Sequence, residues 1–142
     1  MATLSADSVR WFEAGYEPAL NDIPLIASDI IYRGAAIGES SSTGNARPLV
    51  GGDAFLGFAY AKADNASGAI GAVNVKAIQR GAVQLVVTGV TADDDLGVAV
   101  YATDDDTFTT TASGATQIGK LIRWLTGTSA IVYFESVLLR SI

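Results

Sequence analysis

The sequence predicts an all-β protein built as a single small β-barrel domain with an extended N-terminal arm. Clusters of Gly, Asn, Asp, Ser and Thr recur along the chain, and the segments between them are rich in Val, Ile, Tyr, Phe and Thr, as is typical of strands separated by turns. Hydrophobic residues make up 49% of the chain and charged residues only 17%, which favours a folded core over disorder. A chain of 142 residues needs only one domain to bury such a core.

The N-terminal arm is assigned to residues 1–22 and the barrel domain to residues 23–142. The arm carries four large apolar side chains outside the glycine-punctuated strand pattern, and these are the predicted partner-binding residues: Val9, Trp11, Phe12 and Tyr16. Apolar side chains in a short segment of this kind need a groove in which to dock. That groove belongs either to the protein's own barrel or to another chain, and the sequence leaves both alternatives open.

One short helix and about nine strands are expected. The helix covers Ser5–Ala14 and has Ser5 as its N-cap. The clearest strand is Ala82–Thr88, in which every second residue is Val or Leu, and residues 73–77 are its expected hairpin partner through a tight turn at Arg80-Gly81. The remaining strands are expected at residues 29–33, 35–39, 54–61, 97–103, 107–111, 117–124 and 130–139.

The last two of these strands are apolar on both faces in places. Strands of this kind are either central in a sheet or covered by a neighbouring subunit. Together with the family resemblance described below, this pattern predicts a homotrimer.

Composition excludes several classes of function. The net charge is −6 and the nine basic residues are scattered, which argues against nucleic acid as a partner. The chain has no histidine and no cysteine, so a Ser-His-Asp triad, imidazole or thiolate metal ligands and a cysteine nucleophile are all impossible. We therefore expect a protein that is not an enzyme and has no cofactor.

The N-terminus lacks the pattern of a secretory signal and no apolar run is long enough to span a membrane, so no membrane partner is expected.

Two runs of three aspartates are the remaining chemical candidates. Asp93–Asp95 and Asp104–Asp106 are interpreted as acidic turns that are solvated at the tips of hairpins. The alternative is a weak divalent-ion site, although neither run has the alternating acids, central Gly and closing Glu of an EF-hand loop. No metal site is therefore predicted. A glycosidase-like carboxylate pair drawn from Glu39, Asp53, Asp64 and Glu135 has no support from spacing.

Four stretches, taken in order, carry a resemblance to a known family. They are residues 29–34 with Ile37-Gly38, residues 47–49 leading to 52–59, the segment from Val73-Asn74-Val75 to Val83-Gln84-Leu85, and residues 100–105 with 118–120. From Ile30 onward the chain resembles the small capsid decoration, or cement, proteins of tailed bacteriophages. Residues 1–22 lie outside this resemblance.

The resemblance implies a β-barrel or β-tulip unit, usually a homotrimer, that sits on the outside of the capsid shell and clamps adjacent copies of the major capsid protein. The expected location is the capsid surface of the virion, after synthesis in the host cytoplasm. The alternative function is a head-fibre or tail adhesin module whose exposed Tyr and Trp residues stack on host surface glycans.

Overall fold

A computed structural model describes residues 3–13, 19–41 and 43–140 of the chain. The prediction of an all-β fold is confirmed, because these residues form twelve strands and no helix, and hence no helix that could cross a membrane. The strands are β1 (Leu20–Pro24), β2 (Asp29–Ile31), β3 (Ala36–Ser40), β4 (Asn45–Pro48), β5 (Phe55–Ala59), β6 (Ala63–Asn65), β7 (Asn74–Ile78), β8 (Arg80–Thr88), β9 (Ala99–Ala102), β10 (Phe108–Thr109), β11 (Thr116–Thr126) and β12 (Ser129–Glu135).

The nine expected strands are all present, with ends displaced by a few residues. The three strands that the sequence did not indicate are β1, β4 and β6. They are only three to five residues long and contain Asn, Asp, Pro or Arg, residue types that are depleted in strands or common in turns. Their backbone pairing is decided by neighbouring strands and not by their own composition. β1 begins at Leu20, within the segment that the sequence assigned to the arm.

The strands form a closed barrel and a second, five-stranded sheet. The barrel has the order β10-β8-β12-β11-β9, with β10 pairing in parallel with β8 to close it. The second sheet has the order β1-β7-β5-β3-β4. Just beyond β1, Leu25 forms a parallel bridge with Ala46 of β4, the strand at the opposite edge, and Ile26 N–H donates to Ala46 O at 3.0 Å. The two edge strands of this sheet therefore meet. β2 and β6 form a separate two-stranded ladder.

β5 lies between two apolar cores, and all five of its residues are buried. Phe55 and Phe58 join the core that fills the barrel, whereas Leu56 and Ala59 join the core of the five-stranded sheet. Gly57 permits this arrangement because its φ is +135° and a Cβ there would lie 2.3 Å from Ile78 O. A side chain at this position would push β5 away from β7, so the close approach requires glycine.

The expected hairpin between residues 73–77 and 82–88 is wrong. β7 pairs with β1 and β5, whereas β8 pairs with β12 and β10. The chain passes from the sheet to the barrel at Gln79, whose N–H donates to Ala19 O and whose carbonyl accepts from Ser136 N–H. Gly81 is not a turn residue but lies within β8, opposite Phe134. Both strands have the alternation of a half-buried strand, and alternation does not specify a partner.

The expected helix at Ser5–Ala14 is also wrong over its described part, residues 5–13, which form no helix: Ser5 and Ala6 lie in a bend, and Phe12 forms an isolated β-bridge. Their backbone groups bond to distant parts of the chain. Ser8 N–H donates to Arg33 O in the turn between β2 and β3, whereas Glu13 N–H donates to Ala82 O and Trp11 O accepts from Gln84 N–H, both of β8. From Asp7 to Phe12 the residues alternate between exposed and partly buried, which is the period of a strand. Long-range pairing with a free strand edge has therefore overridden a local capping signal.

Candidate partner-binding surface

The arm segment 3–13 docks on the protein's own barrel through an isolated β-bridge. Phe12 forms an antiparallel bridge with Val83 of β8, flanked by the two backbone hydrogen bonds of Trp11 and Glu13. β8 has β12 along one edge, and β10 pairs only with its last two residues, Val87 and Thr88. The arm segment adds pairing to β8 before this point, the same mode by which extended peptides extend a sheet edge.

Phe12 and Arg10 are side chains of the arm segment that point inward, and Leu4 packs on the core of the five-stranded sheet. The Phe12 ring packs edge-on against Phe134, with ring centroids 6.1 Å apart. The Arg10 guanidinium lies 5.3 Å from the ring centroid of Phe108 and 5.7 Å from that of Phe58. Phe12, one of the predicted partner-binding residues, therefore packs on the core of its own chain.

Arg10 is also held by polar contacts. Its Nε donates to Gly34 O at 2.8 Å, and its second terminal nitrogen forms a 2.8 Å ion pair with Asp106. Only 11% of the side chain is exposed. Phe108 belongs to the barrel and Phe58 to the five-stranded sheet, so this one side chain fixes the arm against both parts of the molecule.

The beginning of the arm segment is fixed by a buried carboxylate. Thr3 donates to Asp105 Oδ1 from its N–H at 2.7 Å and from its hydroxyl at 2.9 Å. Asp105 has no solvent exposure. Burial raises the pKa of Asp105, and the donations from Thr3, helped by the nearby N–H of Leu4, offset this only in part.

Two other predicted partner-binding residues face solvent. Val9 is 77% exposed and Trp11 is 55% exposed. Together with Val86 of β8, which is 64% exposed, they line a shallow depression of about 260 Å³. We call Val9, Trp11 and Val86 the outer patch. Tyr16, the fourth predicted residue, lies outside the described residues.

Sequence reasoning placed Val86 with Gln84 and Thr88 on the face of Ala82–Thr88 opposite the apolar one, but it did not identify Val86 as a partner-binding residue. The burial pattern of β8 places Val83, Leu85 and Val87 inside and leaves Gln84 and Val86 exposed. The signal in the sequence was Val86 itself, because it is an apolar residue on the exposed face of the strand, where strict alternation requires a polar one.

The two acidic runs differ from each other. Asp93–Asp95 lies in the connection between β8 and β9, where the Asp94 carboxylate accepts the Thr91 N–H at 2.8 Å, as expected for a turn. In the connection between β9 and β10 the middle residue, Asp105, is fully buried. The interpretation of this second run as a solvated turn is therefore wrong at Asp105, because the arm segment covers it.

Neither acidic run gathers into a cation site in this structure. No group of three or more acidic side chains converges on one point within residues 3–13, 19–41 and 43–140.

Of the four carboxylates considered for glycoside hydrolysis, Asp53 forms a 2.7 Å ion pair with Arg47 and also accepts the Val50 N–H. The Asp53 carboxylate therefore connects β4 to the loop before β5 and has a structural role.

Comparison with known proteins identifies no relative: no family model matches the chain, and neither a curated protein nor a solved structure is significantly similar to it.

Proposed function

We propose that this protein is a capsid decoration protein of a tailed bacteriophage, which binds the outside of the major capsid protein shell and stabilises the head. The observation that carries the proposal is the outer patch, an apolar surface presented by a docked arm segment and β8. A role of this kind requires a rigid body and a complementary surface and involves no reaction, which agrees with a chain that lacks histidine and cysteine.

The backbone of the outer patch supports a binding role because it is fixed before any partner arrives. Trp11 O accepts from Gln84 N–H, and the adjacent residue Phe12 is anchored in the aromatic core. A fixed backbone means that binding orders little more than the side chains, which reduces the entropic cost of association. A large aromatic side chain with few rotatable bonds is the typical anchor of a protein interface.

The stretches that resemble the cement protein family serve the fold in this chain. The segment Phe55–Ala59 is buried throughout, and Val100 and Ala102 are fully buried. Other positions of these stretches are exposed, among them Arg33, Gln84 and Lys120. The proposed binding surface lies mainly in the arm, outside the resemblance, where a decoration protein would adapt to its own shell.

The proposal includes a homotrimer on the capsid surface. The strands whose two apolar faces suggested a neighbouring subunit, β11 and β12, each have two partners in the closed barrel, so the barrel accounts for much of their burial. Light scattering coupled to size exclusion is expected to give a mass of about three subunits, on the chain itself or on protein released from shells. A monomer in both samples contradicts the trimer.

The experiment that tests the function uses empty shells of the major capsid protein and purified protein. Trp11→Ala should weaken binding about 30- to 900-fold, equivalent to about 2–4 kcal/mol for a buried interface anchor. Trp124→Ala is the matched control, because Trp124 is the other tryptophan, is 36% exposed and donates only to Gly127 O nearby. It should leave binding unchanged.

Three outcomes are informative. Loss of binding with Trp11→Ala alone supports the proposal. Equal binding by both variants and the parent protein contradicts the assignment of the outer patch, and absence of binding by the parent protein contradicts the proposed function. In the last case saturable binding to a glycan array, lost with Trp11→Ala or with substitution of the exposed Tyr60, would favour the adhesin alternative.

A further inference from the structure

The carboxyl group of Asp105 is in an unusual place for a residue in an acidic run. It has no solvent exposure, and its Oδ2 atom is buried without a hydrogen bond of good geometry among the described residues. Its Oδ1 atom accepts both donations from Thr3. Transfer of an ionised carboxylate out of water is strongly unfavourable unless the charge is paired or fully hydrogen-bonded.

Among the described residues, no cation forms an ion pair with this carboxyl. On its own loop, Asp104 Oδ1 lies 3.0 Å from the Thr3 hydroxyl and shares the single proton of that hydroxyl with Asp105, and Asp106 is paired with Arg10 at 2.8 Å. Arg10 is the cation that the arm segment brings nearest, and its ion pair is with Asp106. From β3 the contact is the N–H of Ala36, which donates to the backbone carbonyl of Asp105. The site holds a buried acid beside two other acids.

We propose that docking of the arm tip, Thr3 and Leu4, is linked to protonation: the Asp105 carboxyl takes up a proton when the tip docks and releases it when the tip leaves. With the tip docked, a proton on the carboxyl removes a buried negative charge. With the tip detached, water solvates the anion and the proton is no longer favoured. The tip is therefore held more firmly at mildly acidic pH than at neutral pH.

The direction of the pKa shift agrees with this inference. Burial raises the pKa of Asp105 in the folded protein, although hydrogen bonds from Thr3 act in the opposite direction. A raised pKa means that the docked state binds the proton more tightly than the detached state does. The extra stability of docking is fully present below the ordinary pKa of an aspartate and is lost as the pH rises through the raised value. This inference does not depend on the proposed function.

The test is a carbon NMR titration of the Asp105 carboxyl in the intact chain, with two variants that should move its pKa in opposite directions. Deletion of residues 1–4 removes the cover and should return the pKa towards the ordinary value of an aspartate. Thr3→Val keeps the shape of the tip but removes the hydroxyl donor, so the pKa should rise further. In the intact chain, the chemical shift of the Thr3 amide should change with pH at the same midpoint as the Asp105 carboxyl. In Asp105→Asn, this pH dependence of the Thr3 amide should be lost.

Two results would overturn the inference. One is an ordinary pKa for Asp105 in the intact chain, and the other is a raised pKa that deletion of residues 1–4 leaves in place. If the deletion prevents folding, Thr3→Val remains decisive, because a pKa that stays constant or falls in this variant shows that the tip does not control the carboxyl.

Discussion

At the scale of single residues, Arg10 combines functions that are usually distributed over several side chains. It contacts the faces of Phe58 and Phe108, donates to Gly34 O and pairs with Asp106. The planar guanidinium makes this combination possible, because it stacks on aromatic rings and still presents donors at its edge. A lysine carries the charge but has neither the flat face nor the fixed donor geometry.

Arg10→Ala should lower the free energy of unfolding by about 1–3 kcal/mol, because the Gly34 carbonyl loses its donor and two aromatic rings lose a packed face. Arg10→Lys should recover only a small part of this loss. Urea unfolding of both variants provides the measurement. Arg33→Ala, at an exposed position, is the matched control, and a cost equal to that of Arg10→Ala would refute the assigned role.

The buried acid Asp105 also predicts how stability depends on pH. Its pKa is raised in the folded state, so the unfolded chain loses this proton at a lower pH than the folded chain does. The free energy of unfolding should therefore fall as the pH rises from the ordinary aspartate pKa through the raised value. In Asp105→Asn this contribution should vanish, while the Asn carbonyl still accepts from Thr3. Denaturant unfolding at a series of pH values compares the two proteins, and identical pH profiles would contradict the prediction.

At the scale of elements, the arm segment behaves as a strand with two different faces. Its inward residues, Arg10 and Phe12, secure it to the barrel, and its outward residues, Val9 and Trp11, remain exposed. This division follows from the period of two in an extended backbone. The two groups should therefore affect different properties of the protein.

Phe12→Ala should lower the free energy of unfolding by about 2–4 kcal/mol, since it leaves a cavity beside Phe134. Trp11→Ala should change stability by less than about 1 kcal/mol, because more than half of its surface is already in water. Thermal and urea unfolding of the two variants test the contrast. A larger loss of stability for Trp11→Ala than for Phe12→Ala would mean that the arm faces the barrel in the opposite sense.

At the scale of the whole molecule, one aromatic cluster joins the arm, the sheet and the barrel. All five phenylalanines of the chain belong to it: Phe12, Phe55, Phe58, Phe108 and Phe134. The closest pair is Phe58 and Phe134, whose ring centroids lie 4.9 Å apart at a nearly perpendicular angle. The barrel and the five-stranded sheet therefore share one core across β5.

This shared core predicts a single cooperative unfolding transition. Far-ultraviolet circular dichroism reports both sheets, whereas tryptophan fluorescence reports the arm through Trp11 and the barrel through Trp124. The two signals should give coincident urea curves. Separate midpoints would show that the sheet and the barrel unfold as independent units and that contacts across β5 are weak.

The sequence by itself determined the class of fold and the chemistry that is excluded. Alternation and turn residues are local signals, so the strand at Ala82–Thr88 and its apolar face were recognisable without knowledge of any partner. The absence of histidine and cysteine is a property of composition and needs no structure. Among the candidate site residues, Val9 and Trp11 were identified as unusual because large apolar side chains lay in a segment without strand punctuation.

Tertiary structure alone decided which strands meet and which side chains are covered. β7 and β8 are adjacent in sequence yet belong to different sheets, because pairing depends on which edges the rest of the chain leaves free. The same free edge of β8 paired with a segment that carries a helix-capping signal, through the bridge between Phe12 and Val83, and directed Phe12 inward. Asp105 was interpreted from sequence as a solvated turn residue, but it is buried and accepts from Thr3 of the arm, about a hundred positions earlier in the chain. Contacts between such distant positions leave no periodic signal in the sequence.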